Sequence, residues 1–263
     1  MFQIPSYQNE AKYQRRQERV FLVLAGLFLG SLVMLNILGT SRFINLSHWF
    51  GLEDNSLQFI IAVGVLPYPI TFLCTDFISE LYGRKRANFV VWIGFVLNLW
   101  VLFILWIGGE LNPPAGLGEH SLMSLNESGE IPQEYAFYYI RHLAFGATAA
   151  SMIAYLTAQF IDVHIFHWLK KKTQGKKLWL RNNVSTLVSQ LVDSVAVILI
   201  TYYFTPALPI DASLAIVPQL VILIASGYVF KVVVALLDTI PFYIGTKWLR
   251  KYLGLAEEHV SSY

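Results

Sequence analysis

Long stretches of this chain carry no charged side chain, and short clusters of Lys and Arg separate them. Between Arg19 and Arg42 there is no charge at all. That run matches the roughly 20 apolar residues a helix needs to cross a bilayer. Six such stretches can be counted, at about 20–41, 56–82, 87–109, 142–169, 183–204 and 217–247. The last is long enough to be tilted, or kinked at Pro241. Tails of 1–19 and 248–263 flank them. The pattern predicts an all-α integral membrane protein with six transmembrane helices.

Composition agrees. Only 14% of the 263 residues are charged and 56% are hydrophobic, with a mean hydropathy of +0.53. Soluble domains average about 25% charged residues, so a soluble enzyme or a nucleic-acid binder is disfavoured. A single cysteine, Cys74, sits inside an apolar run and cannot form an internal disulfide. The net charge of +2 is less informative than its distribution. Lys12, Arg15, Arg16 and Arg19 precede span one, and Arg84, Lys85 and Arg86 follow span two. Lys170, Lys171, Lys172, Lys176, Lys177 and Arg181 join spans four and five, and Lys247, Arg250 and Lys251 end span six. The opposite loops hold only Arg42, with Arg141 at the start of span four. By the positive-inside rule both termini are cytoplasmic. These clusters read as topology signals rather than nucleic-acid contacts. The first apolar run exceeds a signal-peptide core and no small-residue cleavage site follows it, so it reads as a retained span. The outer loop, about Glu110 to Tyr139, has five Glu and no Lys or Arg.

Ionisable groups within a span are costly and usually face a cavity or a partner. Here they are Asp76 and Glu80 late in span two, Asp162 in span four, Asp193 in span five, and Lys231 and Asp238 in span six. Residue counting puts Asp193 and Lys231 near mid-bilayer. The helices must then enclose a polar cavity or a buried ion-pair network. Lys231 is the only deep base, which leaves Asp193 or Asp76 as its partner. Spans four and five each carry a Gln-x-x-Asp spacing, Gln159 with Asp162 and Gln190 with Asp193. Residues three apart share a helix face, so each helix presents an amide beside a carboxylate. That pair complements a guanine-like edge: the carboxylate accepts from ring N–H and amine, and the amide donates to the carbonyl. An interhelical clamp between the two spans explains the spacing equally well.

Pro67-Tyr68-Pro69 removes backbone donors in span two and is expected to interrupt its helix. Such breaks often line substrate sites, which brings Tyr68 into the candidate set. Asn36 and Asn98 suit either a cavity wall or a link between helices. His164 and His167 beside Asp162 have metal-like spacing but approach the basic interface, where a solvated role is the stronger reading. Gly146, Ala147, Ala149, Ala150, Ser151 and Ala154 mark a close helix seam in span four. No hydrolase, metalloprotease or nucleotide-binding motif is present, so no catalytic residue, metal or cofactor is assigned.

Several motifs recur in a recognisable order. They are Thr75-Asp76-x3-Glu80-x-Tyr82-Gly83-Arg84, Ser151-x2-Ala154-Tyr155-x3-Gln159-x2-Asp162, Trp179-x-Arg181-Asn182-x2-Ser185-Thr186-x3-Gln190-x2-Asp193-Ser194, and Lys231 followed by Asp238-Thr239-x-Pro241-x-Tyr243. Together they resemble the queuosine precursor transporter family, also called the vitamin uptake transporter family, from about Asn36 to Tyr243. Asn36 with Arg42 resembles that family's first-helix Asn and following basic residue, where Lys is more usual. The resemblance implies a six-helix importer in the bacterial inner membrane. Its cargo would be 7-cyano-7-deazaguanine and 7-aminomethyl-7-deazaguanine for tRNA modification. It also implies an architecture akin to the substrate-binding components of energy-coupling-factor transporters, without their ATPase module.

The substrate-binding set is therefore Asn36, Tyr68, Asp76, Glu80, Gln159, Asp162, Gln190, Asp193 and Lys231. Expected partners are a small deazaguanine and the lipid bilayer, with no nucleic acid and with room for a homo-oligomer. Other readings are a transporter of a different vitamin or nucleobase, and a non-transporting membrane subunit whose buried charges only hold helices together.

Overall fold

The computed structural model describes residues 5–39, 41–47, 59–111, 135–174, 178–204 and 208–255. Most of the acidic outer loop, the first residues expected of span two, Lys176 and Lys177, and the outermost parts of both tails lie outside them. Six α-helices appear among the described residues. They are α1 (Pro5–Leu38), α2 (Tyr68–Tyr82), α3 (Arg84–Glu110), α4 (Tyr135–Lys172), α5 (Leu178–Phe204) and α6 (Ile216–Leu253). A small antiparallel hairpin, β1 (Phe43–Asn45) with β2 (Ile60–Ala62), and a 3-10 turn (Val63–Val65) separate α1 from α2. Four helical stretches are long and apolar enough to cross a membrane: Glu10–Leu38, Lys85–Glu110, Leu187–Phe204 and Ile216–Leu253.

Span two differs from expectation. Residues 60–67 are strand and 3-10 turn rather than helix, and the helix itself begins at Tyr68. Pro67 occupies the N-cap and Pro69 the first turn, where a missing N–H costs little because that donor has no helical partner anyway. The prolines thus start a helix; they do not break one. At about 1.5 Å per residue, the 15 residues of α2 reach roughly 22 Å, short of the ~30 Å hydrocarbon core. Helix α1 instead starts earlier than span one, carrying the basic residues 12–19 on a continuous helix.

The chain divides into two compact units. One comprises Met1–Leu32, Pro67–Leu97 and Val233–Tyr263. Its core joins Ala25 and Phe28 of α1, Cys74 and Ile78 of α2, and Ala87 and Val90 of α3. These pairs fall three or four residues apart, so each helix contributes one apolar stripe. Phe77 of α2 stacks near Phe242 of α6, with ring centroids 5.5 Å apart.

The second unit comprises Val33–Leu66 and Asn98–Val232. Here α4 packs along α5. The small-residue seam is present: Ala147, Ala150 and Ala154 are buried, joined by Ala144 and Ala158, while Ala149 faces outward. In the hairpin Ile44 pairs with Ile61, which is fully buried. The turn after β2 crosses the end of α1 closely enough to need glycine. Gly64 N donates to the Gly39 carbonyl at 3.0 Å, and a Cβ on Gly64 would meet the Leu35 carbonyl oxygen at 2.7 Å.

Candidate substrate site

Several buried polar residues of the second unit lie on α5. Ser185, Ser189 and Asp193 lie four residues apart, with Ser194 and Thr201 beside them, and all five are buried. A helix with such a stripe inside its apolar run has a face turned away from lipid. Lys231 of α6 is also buried and pairs with Asp193. Its ammonium donates to Asp193 Oδ2, one of the two partners that the scarcity of deep bases left open. A carboxylate has about four lone-pair sites, so the lysine leaves acceptor capacity on Asp193.

Gln190, one turn before Asp193, is half-buried. Its Oε1 and the Ser194 Oγ are buried and have no hydrogen-bond partner among the described residues. Groups in that condition cost about 1–3 kcal/mol each unless something binds them. Five residues before Lys231, Ser226 Oγ accepts the backbone N–H of Ile60 at 3.2 Å. The irregular backbone of β2 is thereby fastened to the same helix that carries the lysine. Asn36 Nδ2 donates to Asn98 Oδ1 at 2.9 Å, both side chains buried, so α1 and α3 are cross-linked there. Of Gln159 and Asp162 only the backbone is described, in α4; their side chains, like that of His167, lie outside the described residues. The two helices that carry the Gln-x-x-Asp spacings are nonetheless packed neighbours.

The first unit holds the other expected residues. Tyr68 is half-buried, with its ring 5.4 Å from Phe72. Asp76 of α2 lies within electrostatic reach of Asp238 of α6, whose Oδ2 is buried without a partner among the described residues. Glu80 pairs with Arg250 of α6, a residue that the sequence had placed only among the topology signals. Arg42 is exposed, and its backbone carbonyl accepts from Val63 N. His164 is exposed, and no group of three metal-ligating side chains occurs among the described residues.

Sequence reasoning missed Ser189, Thr201 and Ser226, and named Ser185 only within the family motif. Ser189, one turn before Asp193, was visible in the spacing, but a hydroxyl is cheap enough in a span to pass as background.

Comparison with known proteins gives the family. Residues 62–245 match the family described as "Putative vitamin uptake transporter". The "Probable queuosine precursor transporter" of Bacillus subtilis (strain 168) is 30% identical over 189 residues, 71% of each chain. The "Queuosine precursor transporter" of Escherichia coli (strain K12) is 26% identical over 190 residues, 71% of this chain and 73% of that one. No solved structure matches the chain. A family match over most of the apolar region, with a relative aligned across most of both chains, makes this protein a member of the queuosine precursor transporter (vitamin uptake transporter) family.

Proposed function

We propose that this protein imports the deazaguanine precursors of queuosine, 7-cyano-7-deazaguanine and 7-aminomethyl-7-deazaguanine, across the bacterial inner membrane. It does so as a six-span protein with both termini in the cytoplasm and without an ATPase module. The observation that carries the reading is the Gln190–Asp193 face: a buried carboxylate held by a lysine, beside an amide oxygen and a hydroxyl that have no partner among the described residues. A 2-amino-4-oxo purine analogue offers the complementary groups. Its ring N–H and exocyclic amine donate to the Asp193 carboxylate and the Gln190 oxygen, and Ser194 bonds either a donor or an acceptor. Gln159 and Asp162 on the adjoining helix repeat the same pair of groups and complete the recognition set, with Asn36 and Lys231 holding the surrounding helices. Tyr68, Asp76 and Glu80 serve the same transport cycle from α2.

The deciding experiment is uptake of labelled precursor by cells unable to make it, with and without this chain. Import that appears only with the chain supports the reading, and import of an unrelated vitamin or nucleobase instead would redirect it. Loss of one charge-assisted hydrogen bond in a dry site costs roughly 1.5–3 kcal/mol. Asp193→Asn should therefore weaken precursor uptake about ten- to a hundredfold per folded molecule, beside the loss of folded yield from leaving Lys231 without its carboxylate. Unimpaired uptake in Asp193→Asn and Asp162→Asn would remove the recognition role.

A further inference from the structure

The N-terminal part of α1 carries a stripe of four cations. Lys12, Arg15, Arg16 and Arg19 follow the i, i+3, i+4, i+7 spacing of one helix face. Glu10 and Glu18 fall off that stripe at about 100° per residue. With Tyr252 of α6 these four side chains line an open cleft of about 550 Å³. Arg16 forms its floor: the guanidinium stands 4.5 Å over the Tyr252 ring and donates to the Tyr252 carbonyl at 3.2 Å. Gln17 donates to the next carbonyl, Leu253, at 3.2 Å, which fastens α1 to the end of α6. Lys12, Arg15 and Arg19 form no ion pair among the described residues.

A topology signal requires only positive charge near a span. This cleft adds geometry. The wall residue Tyr252 stacks on Trp248 with centroids 5.6 Å apart, and both are exposed. Paired exposed aromatics at a span end are typical of the membrane–water boundary. The cationic face of α1 also continues along the helix without a change of register. Leu22, Val23 and Leu27 follow at helical spacing, all well exposed, with Gly26 and Gly30 between and beyond them. A Cβ at either glycine would meet nothing within 4 Å. One helix face therefore offers four cations at headgroup level and then an open apolar lane. That is the outline of an amphiphile.

From this juxtaposition we infer a binding site for one anionic phospholipid of the adjoining leaflet. The phosphate lies in the Lys12, Arg15, Arg19 cleft and an acyl chain runs along the Leu22 to Gly30 lane. Arginine suits the role because its planar fork bonds phosphate oxygens in pairs. A lipid held there would brace the contact between α1 and the end of α6.

The test is native mass spectrometry of the full chain in detergent, titrated with phosphatidylglycerol, phosphatidylcholine or inorganic phosphate. One phosphatidylglycerol should be retained tightly, phosphatidylcholine should not, and phosphate at matched concentration should not displace the lipid. Arg15→Gln with Arg19→Gln should weaken retention about thirtyfold, with Arg16 left to hold the helices. Tyr252→Ala keeps every cation yet opens the wall, and it should also weaken retention. Equal retention by wild type and the double variant would overturn the site and leave the cations as topology signals. Displacement by phosphate would overturn the lipid assignment in favour of a free anion. If the double variant is not recovered folded, unchanged retention by Tyr252→Ala overturns the proposal by itself.

Discussion

The two units each contain an ion pair between α6 and another helix, and the pairs live under different conditions. In the second unit, Lys231 and Asp193 are 5% and 10% exposed. In the first, Arg250 and Glu80 are 21% and 40% exposed. The chemistry is similar, but the surroundings decide what each pair is worth. Water and counterions around Glu80 screen the attraction and would solvate either partner left alone. Around Asp193 and Lys231 little water enters, so removing one member leaves the other a buried charge deprived of its opposite. The buried pair is a requirement of the fold of its unit, whereas the exposed pair adjusts a helix end.

The sharpest way to break this contrast is Lys231→Met. Removing one member of a buried pair typically costs about 3–5 kcal/mol. The variant should give little folded protein in detergent and no precursor uptake. A second change, Asp193→Asn, should restore part of the folded yield by removing the stranded carboxylate. Normal yield and transport in the single variant would show that the pair does not matter.

This pair was legible in the sequence because charge in a span is rare. With one deep base and few deep acids, depth counting left two partners, and packing chose Asp193 over Asp76. Most of the helices were legible for the same reason that composition disfavoured a soluble domain: long apolar runs, as in Glu10–Leu38, Lys85–Glu110 and Ile216–Leu253. Ile60 to Val65 was not legible, because a short β-branched run reads the same whether it is strand or buried helix. The adjacent prolines suggested a broken helix, yet they fit a helix start just as well. The extension of α1 back to Pro5 was missed because that segment lacks an apolar period, although its Glu, Ala, Lys, Gln and Arg are good helix formers. Arg250 was assigned a topology role from its position alone, and only the packing of α6 along α2 shows that it meets Glu80.

The exposed pair sharpens the contrast from the other side. Arg250→Gln should cost no more than about 1 kcal/mol, and added salt should shrink even that difference. Thermal unfolding in detergent at low and high salt measures both effects. A loss comparable to that of Lys231→Met would mean that Glu80 is effectively buried in the membrane and that the two units do not differ as described.

The smallest effect belongs to a carboxylate with no cation partner among the described residues. Asp211, in the connection before α6, is fully exposed and accepts hydrogen bonds from Ser213 N at 2.8 Å and Ser213 Oγ at 2.6 Å. Its backbone is tied to Gln219, which accepts from Asp211 N at 2.8 Å. The Ser213 bonds favour the charged form and hold this carboxyl below its ordinary value of 3.8. A folded-state value below the unfolded one means stabilisation that is complete above the ordinary value. It is then lost as pH falls through the lowered folded value. Asp211→Asn keeps an acceptor oxygen but abolishes the titration. Wild type should therefore be slightly more stable than the variant at neutral pH, and the gap should close below about pH 3.8. Thermal unfolding of both proteins across that range reads the difference directly. A gap that persists at the acid end would show that the hydrogen bonds, and not the charge they stabilise, set the conformation of this turn.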